Sequence, residues 1–101
     1  MQTQVVDEGI SITMMCNVTT EGIPNHASNL RYEWLNPNGT VVGNQWFLKI
    51  SKIQVHESGV YVCNVAVDVG DVTQQASQAT NIIVQQGNLR IIQYLRFLQT
   101  L

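Results

Sequence analysis

The sequence predicts an all-β fold, a sandwich of about seven antiparallel strands. Three observations carry this. Short runs alternate apolar and polar residues with a period of two, as in Ile10-Ser11-Ile12-Thr13-Met14. Clusters of Gly, Asn, Asp and Pro separate those runs. Two cysteines sit in the apolar phase of two such runs: Cys16 shares a face with Ile12, Met14 and Val18, and Cys63 with Tyr61 and Val65. If the two faces oppose each other across a core, the sulfurs can meet.

In chain order, Gln2 to Val6 reads as a short edge strand and Asp7-Glu8-Gly9 as a turn. Ile10 to Val18 alternates as a second strand, with Ile10, Ile12, Met14, Cys16 and Val18 inward. Thr19 to Asn29 holds Gly22, Pro24, Asn25 and Ser28 and is a loop. Leu30 to Leu35 is a third strand, with Leu30, Tyr32 and Trp34 inward. Asn36-Pro37-Asn38-Gly39 is a turn, its Asn-Gly suited to positive φ. Val41-Val42 is a short returning strand. Trp46 to Ile50 follows as a strand, with Trp46, Leu48 and Ile50 inward and Phe47 outward. Val60 to Val67 and Ala79 to Gln85 complete the set, joined through a turn region that begins at Asp68-Val69-Gly70-Asp71.

Cys16, then Trp34, then Glu57-x-Gly59-x-Tyr61-x-Cys63, preceded by Leu48-x-Ile50-x-x-Ile53, resembles the immunoglobulin superfamily over about Gln2 to Gln86. The resemblance implies a Greek-key sandwich with strands A, B, E and D in one sheet and C, F and G in the other. It also implies a Cys16–Cys63 bridge with Trp34 packed on it, and a tyrosine corner in which the Tyr61 hydroxyl bonds back to the backbone a few residues earlier. Such a bridge is worth roughly 4 kcal/mol in the chain-entropy model. The family usually has Asp where this chain has Glu57, paired with a basic residue on a neighbouring strand. The longer Glu57 leaves that pairing open. About ten residues separate Leu35 from Trp46, which leaves no room for the extra C″ strand of variable domains. The subtype implied is an intermediate or constant-2 set.

The length of 101 residues fits one domain, residues 1–87, followed by a C-terminal extension, residues 88–101. In that extension Leu89, Ile91, Ile92, Tyr94, Leu95, Phe97, Leu98 and Leu101 recur at roughly helical spacing. It reads as a stalk, the first strand of a following domain, a non-native extension or an amphipathic surface helix. Charged residues are 12% of the chain and the net charge is −2, so no basic footprint points to nucleic acid. No apolar run approaches the ~20 residues that span a bilayer, so membrane contact comes only through the parent chain. With no leader ahead of Gln2, the chain reads as a segment of a longer secreted or membrane protein, or as one whose leader has been removed. Two cysteines in a small β-domain suggest one disulfide and an oxidising compartment, hence an extracellular or cell-surface location. The alternative is an intracellular structural scaffold domain with reduced cysteines.

Catalysis finds no constellation. His26 lies in a loop, and the neighbours His56, Glu57 and Ser58 are sequence-adjacent, which is not how a triad is built. Two histidines and two cysteines give no zinc spacing, and no metal or other cofactor is expected. Asp68 and Asp71 read as turn residues rather than calcium ligands. Asn17-Val18-Thr19 and Asn38-Gly39-Thr40 are N-glycosylation sequons, Asn17 outward by alternation and Asn38 at a turn tip. The candidate partner face is the outward side of the C-F-G sheet, where Leu35, Val62 and Ile83 form an apolar patch edged by Arg31 and Glu33. The expected role is a recognition or adhesion module, part of a receptor or similar glycoprotein, binding protein partners homophilically or heterophilically.

Overall fold

The computed structural model describes residues 1–18 and 22–86. The expectations for the extension, residues 88–101, lie outside them. The described residues contain seven strands: β1 Gln2–Asp7, β2 Ile12–Met15, β3 Ser28–Leu35, β4 Val41–Gly43, β5 Phe47–Ile50, β6 Gly59–Val69 and β7 Val72–Gln85, with one 3-10 turn at Val55–Glu57. They form a five-stranded sheet in the order β1-β7-β6-β3-β4 and a two-stranded sheet, β2-β5. All pairs are antiparallel except β1 with β7, which run parallel.

The core between the sheets follows from the alternation of each strand. Tyr61, Cys63, Val65 and Val67 of β6 are buried, while the residues between them are half-buried on the other side. Trp34 from β3, Met14 from β2, Leu48 from β5 and Ile82 and Val84 from β7 form one cluster with Tyr61, Cys63 and Val65. Ile53, fully buried, seals one end. Among the described residues no buried side-chain nitrogen or oxygen lacks a hydrogen-bond partner, as a stable core requires.

The division of strands between sheets differs from the one the resemblance implies. β1 leaves the β2-β5 sheet and pairs with β7, Gln2 opposite Thr80 through Asp7 opposite Gln85. The cause is the crossover at Glu8-Gly9. Gly9 takes φ +89°, its N–H donates to the Ile53 carbonyl, and the Ile53 N–H donates to the Ile10 carbonyl. Those bonds carry the chain from one sheet to the other across the four residues 8–11. Val41–Gly43 also pairs with β3 rather than forming a strand D. Only residues 44–46 connect β4 to β5, and among the described residues the second sheet has two strands.

Three inward assignments are corrected. Ile10 is 45% exposed because it belongs to the crossover and β2 begins only at Ile12. Leu30 is 47% exposed because Asn29 adopts φ +55° and the β3–β6 register shifts between Ser28 and Arg31. Trp46 is 51% exposed because it precedes β5. Its carbonyl accepts the Cys16 N–H, and its ring meets Phe47 edge-on at 5.0 Å. The last two strands are longer than expected. β6 and β7 form one hairpin through a two-residue Gly70-Asp71 turn, with Gly70 at φ +61°.

Candidate functional site

The Cys16 and Cys63 sulfurs are bonded, with Cα atoms 5.9 Å apart, inside the usual span for a disulfide. Cys63 lies directly opposite Trp34 in the β3–β6 register. The Trp34 indole is held by its Nε1–H, which donates to the Gln45 carbonyl at 2.9 Å.

Below this pair the chain enters β6 through a corner. The Tyr61 hydroxyl donates to the Glu57 carbonyl at 2.6 Å. Burial pushes its pKa up, and the Glu57 carboxylate adds to that rise. The Glu57 side chain is turned back onto its own 3-10 turn, where Oε1 accepts the Gln54 N–H at 2.9 Å. It caps the turn rather than pairing with a base on a neighbouring strand. Gly59 has φ +137°, and a Cβ there would lie 2.7 Å from Pro37, so the corner accepts only glycine. Ser58 Oγ accepts the Val84 N–H, and His56 is exposed. His56, Glu57 and Ser58 therefore point to three different places. A cleft of about 500 Å³ opens beside the corner along β5, lined by Pro37, Val42, Leu48, Ile50, Glu57 and Tyr61. Lys49 and His56 also line it, while Glu57 and Tyr61 are already engaged in the corner.

At the other end of β6, Asp68 is surrounded by donors. Asn29 Nδ2, Thr73 Oγ1 and Arg31 donate to its carboxylate at 3.0, 2.8 and 3.2 Å. The hydrogen bonds from Asn29 and Thr73, with that of Arg31, hold its pKa below the usual carboxylate value. The carboxylate thus ties the start of β3 to the β6–β7 hairpin. No group of three or more His, Cys, Asp or Glu able to hold a metal occurs among the described residues.

The outer face of the five-stranded sheet carries a different surface. Strand register puts Leu35 opposite Val62, Val62 opposite Ala79, and Val41 opposite Leu35. Leu35 and Val62 are half-buried and Val41 is 56% exposed. Two positions along β7 from Asn81, Ile83 faces Val5 of β1, and both are exposed. Glu33 flanks the band on β3 opposite Asn64, and Arg31 lies beyond it in its pair with Asp68. Val5 and Val41 were not legible as members, because each joins through a pairing, β1 with β7 and β4 with β3, that alternation within one strand does not specify. Asn17 is exposed beyond β2, its N–H donating to Gln78 Oε1. The hydroxyl residue of its sequon, Thr19, lies outside the described residues. Asn38 is exposed on the β3–β4 turn, where the Asn36 carboxamide accepts the N–H groups of Asn38 and Thr40.

Two sheets enclosing a disulfide, a tryptophan and a tyrosine corner make the comparison with solved structures decisive. The chain has an immunoglobulin-like fold. It is similar to the N-terminal four immunoglobulin domains of a Dscam1 isoform at 23% identity and a TM-score of 0.61, over 82% of this chain and 19% of that one. It is similar to the V domain of amphioxus IgVJ-C2 at 19% identity and a TM-score of 0.59, over 80% of this chain and 98% of that one. A complex of Dpr2 Ig1-Ig2 with DIP-Theta Ig1-Ig3 matches at 23% identity and a TM-score of 0.56, over 83% of this chain and 29% of that one. The chain thus spans about a fifth of the Dscam1 fragment and under a third of the matched chain of the complex. No family model matches the sequence, and no curated protein does.

Proposed function

We propose that this immunoglobulin-like domain is an extracellular recognition or adhesion module of a larger cell-surface or secreted protein. It binds protein partners, homophilic or heterophilic, through the outer face of the five-stranded sheet. The observation that carries the reading is the apolar band Val41, Leu35, Val62 and Ala79, with Val5 and Ile83 beside it and Glu33 at its rim. Apolar centres with polar rims are what protein interfaces present. The disulfide supports an oxidising compartment over the intracellular scaffold role. The Dpr2 structure is itself a complex between proteins containing such domains, which adds support. Asn17 follows β2 in the opposite sheet, so a glycan there would leave the proposed face open.

The test is Val62→Glu, displayed as an oligomer against a panel of cell-surface ectodomains. The variant keeps its melting temperature within about 5 °C of the parent, since the side chain points away from the core. It loses the ectodomain the parent captures. Equal capture by both proteins rejects the face.

A further inference from the structure

β7 runs for fourteen residues, and β1 covers only its second half, beginning with Gln2 opposite Thr80. Among the described residues, Val72 to Ala79 has β6 on one side and no strand on the other. Two bonds fix which main-chain groups point outward. The Gln85 carbonyl accepts the Glu8 N–H on the β1 side, and the Val84 N–H donates to Ser58 Oγ on the β6 side. By alternation, the N–H and C=O groups of Thr73, Gln75 and Ser77 face the open edge. Val72 to Ser77 are all exposed. The stretch Val72-Thr73-Gln74-Gln75-Ala76-Ser77-Gln78 has no charge and no proline, and its register with β6 is unbroken. Charge, proline and bulges are the devices that keep a free edge from pairing, and this edge has none of them.

We infer that this edge pairs with the same edge of a second copy of the chain, antiparallel about a two-fold axis at Gln75. The edge fits itself in length: it is bounded by the Gly70-Asp71 turn at one end and by the start of β1 at the other. A two-fold centred on Gln75 sets the turn of each copy beside the first residues of β1 of the other. Thr73 then lies opposite the second copy's Ser77, and Gln75 opposite Gln75. Thr–Ser pairs favour antiparallel contacts, and an uncharged strand meets its own copy without like charges opposed. The Thr73 and Ser77 hydroxyls are already oriented by bonds to Asp68 and Asn64. A foreign strand finds no charged side chain on this edge to select it. An isologous contact of this kind closes at two copies. It joins two five-stranded sheets into one of ten strands, with the two outer faces continuous. So short a ladder buries less than the ~1,200 Å² typical of stable complexes, so the dimer is weak and gains strength where chains are arrayed.

Sedimentation velocity of the whole chain tests this. A reversible dimer is expected as concentration rises to about 100 µM. Gln75→Pro removes an N–H that β6 does not use and weakens dimerisation by about tenfold or more. Gln75→Lys places two ammonium groups at the axis, weakens the dimer and regains it in high salt, and it serves if the proline variant fails to fold. Gln75→Cys forms a covalent dimer on oxidation, since opposed residues of a hydrogen-bonded pair sit about 5.5 Å apart. A chain that stays monomeric throughout overturns the inference, as does a folded Gln75→Pro variant that dimerises unchanged. So does a dimer dissolved by Val62→Glu but not by Gln75→Pro, which would assign self-association to the outer face.

Discussion

The two ends of β6 are built on different principles. At the corner, between Ile53 and Cys63, the side chains of Ile53, Tyr61 and Cys63 are buried and three polar groups have fixed partners: Tyr61 on Glu57, Glu57 on Gln54, Ser58 on Val84. At the hairpin, from Asp68 to Gln78, order comes from main-chain pairing and from hydrogen bonds in water, such as those onto Asp68. Burial makes the corner strong and intolerant of change. Exposure makes the hairpin cheap to alter and leaves it free to meet other molecules. The difference teaches that in a small sandwich stability and availability are assigned to opposite ends of one strand.

The contrast can be broken most severely at the disulfide. Replacing Cys16 and Cys63 together by Ala should cost about 2–5 kcal/mol, measured by urea unfolding. A loss near that of an ordinary surface substitution would show that the corner does not depend on the bridge. Next comes Tyr61→Phe, which removes the hydroxyl bond and should cost about 1 kcal/mol. The pH profile sharpens it. The Tyr61 pKa is raised in the fold above its ordinary value of 10.0, so its contribution is complete below pH 10 and is lost as pH climbs through the folded value. The parent should lose stability in that alkaline range faster than Tyr61→Phe does, which a melting series across that range would read. The smallest effect belongs to the hairpin. Asp68→Asn should shift the melting temperature least of the three, yet speed amide exchange from Val69 to Gln75 as the tie to Thr73 and Asn29 weakens. Because the Asp68 pKa is lowered in the fold, its contribution is present above the ordinary carboxylate value and fades as pH falls through the folded one. The parent and Asp68→Asn should therefore converge in acid.

Legibility in the sequence followed the same division. The core strand around Tyr61, Cys63 and Val65 reads clearly because burial on one face imposes alternation. Trp34 and Leu48 read clearly for the same reason. Val72 to Gln78 carries Thr, Gln, Ala and Ser on both faces, so no periodicity marks it as a strand and the sequence reads it as part of the turn region that begins at Asp68. Its order comes from the tight Gly70-Asp71 turn and the partner β6, neither of which leaves an apolar signal. The misplaced Ile10, Leu30 and Trp46 share one cause. Each lies at a strand end, where a crossover, a positive φ or a late start breaks the parity that holds inside the strand. The partner band was partly legible, through Leu35 and Val62. Its remainder depends on β1 joining β7, which a turn at Gly9 decides.

That parallel pairing of β1 with β7 has a mechanical consequence. The two strands run the same way, so tension applied ahead of Gln2 and behind Gln85 pulls them in opposite directions along their length. The six paired positions are loaded together in shear, and none can peel open singly. If the clamp yields, the covalent cross-link stops the unravelling. The chain between its ends, a sequence separation of 47 at roughly 3.4 Å per residue when extended, would otherwise release about 160 Å of slack.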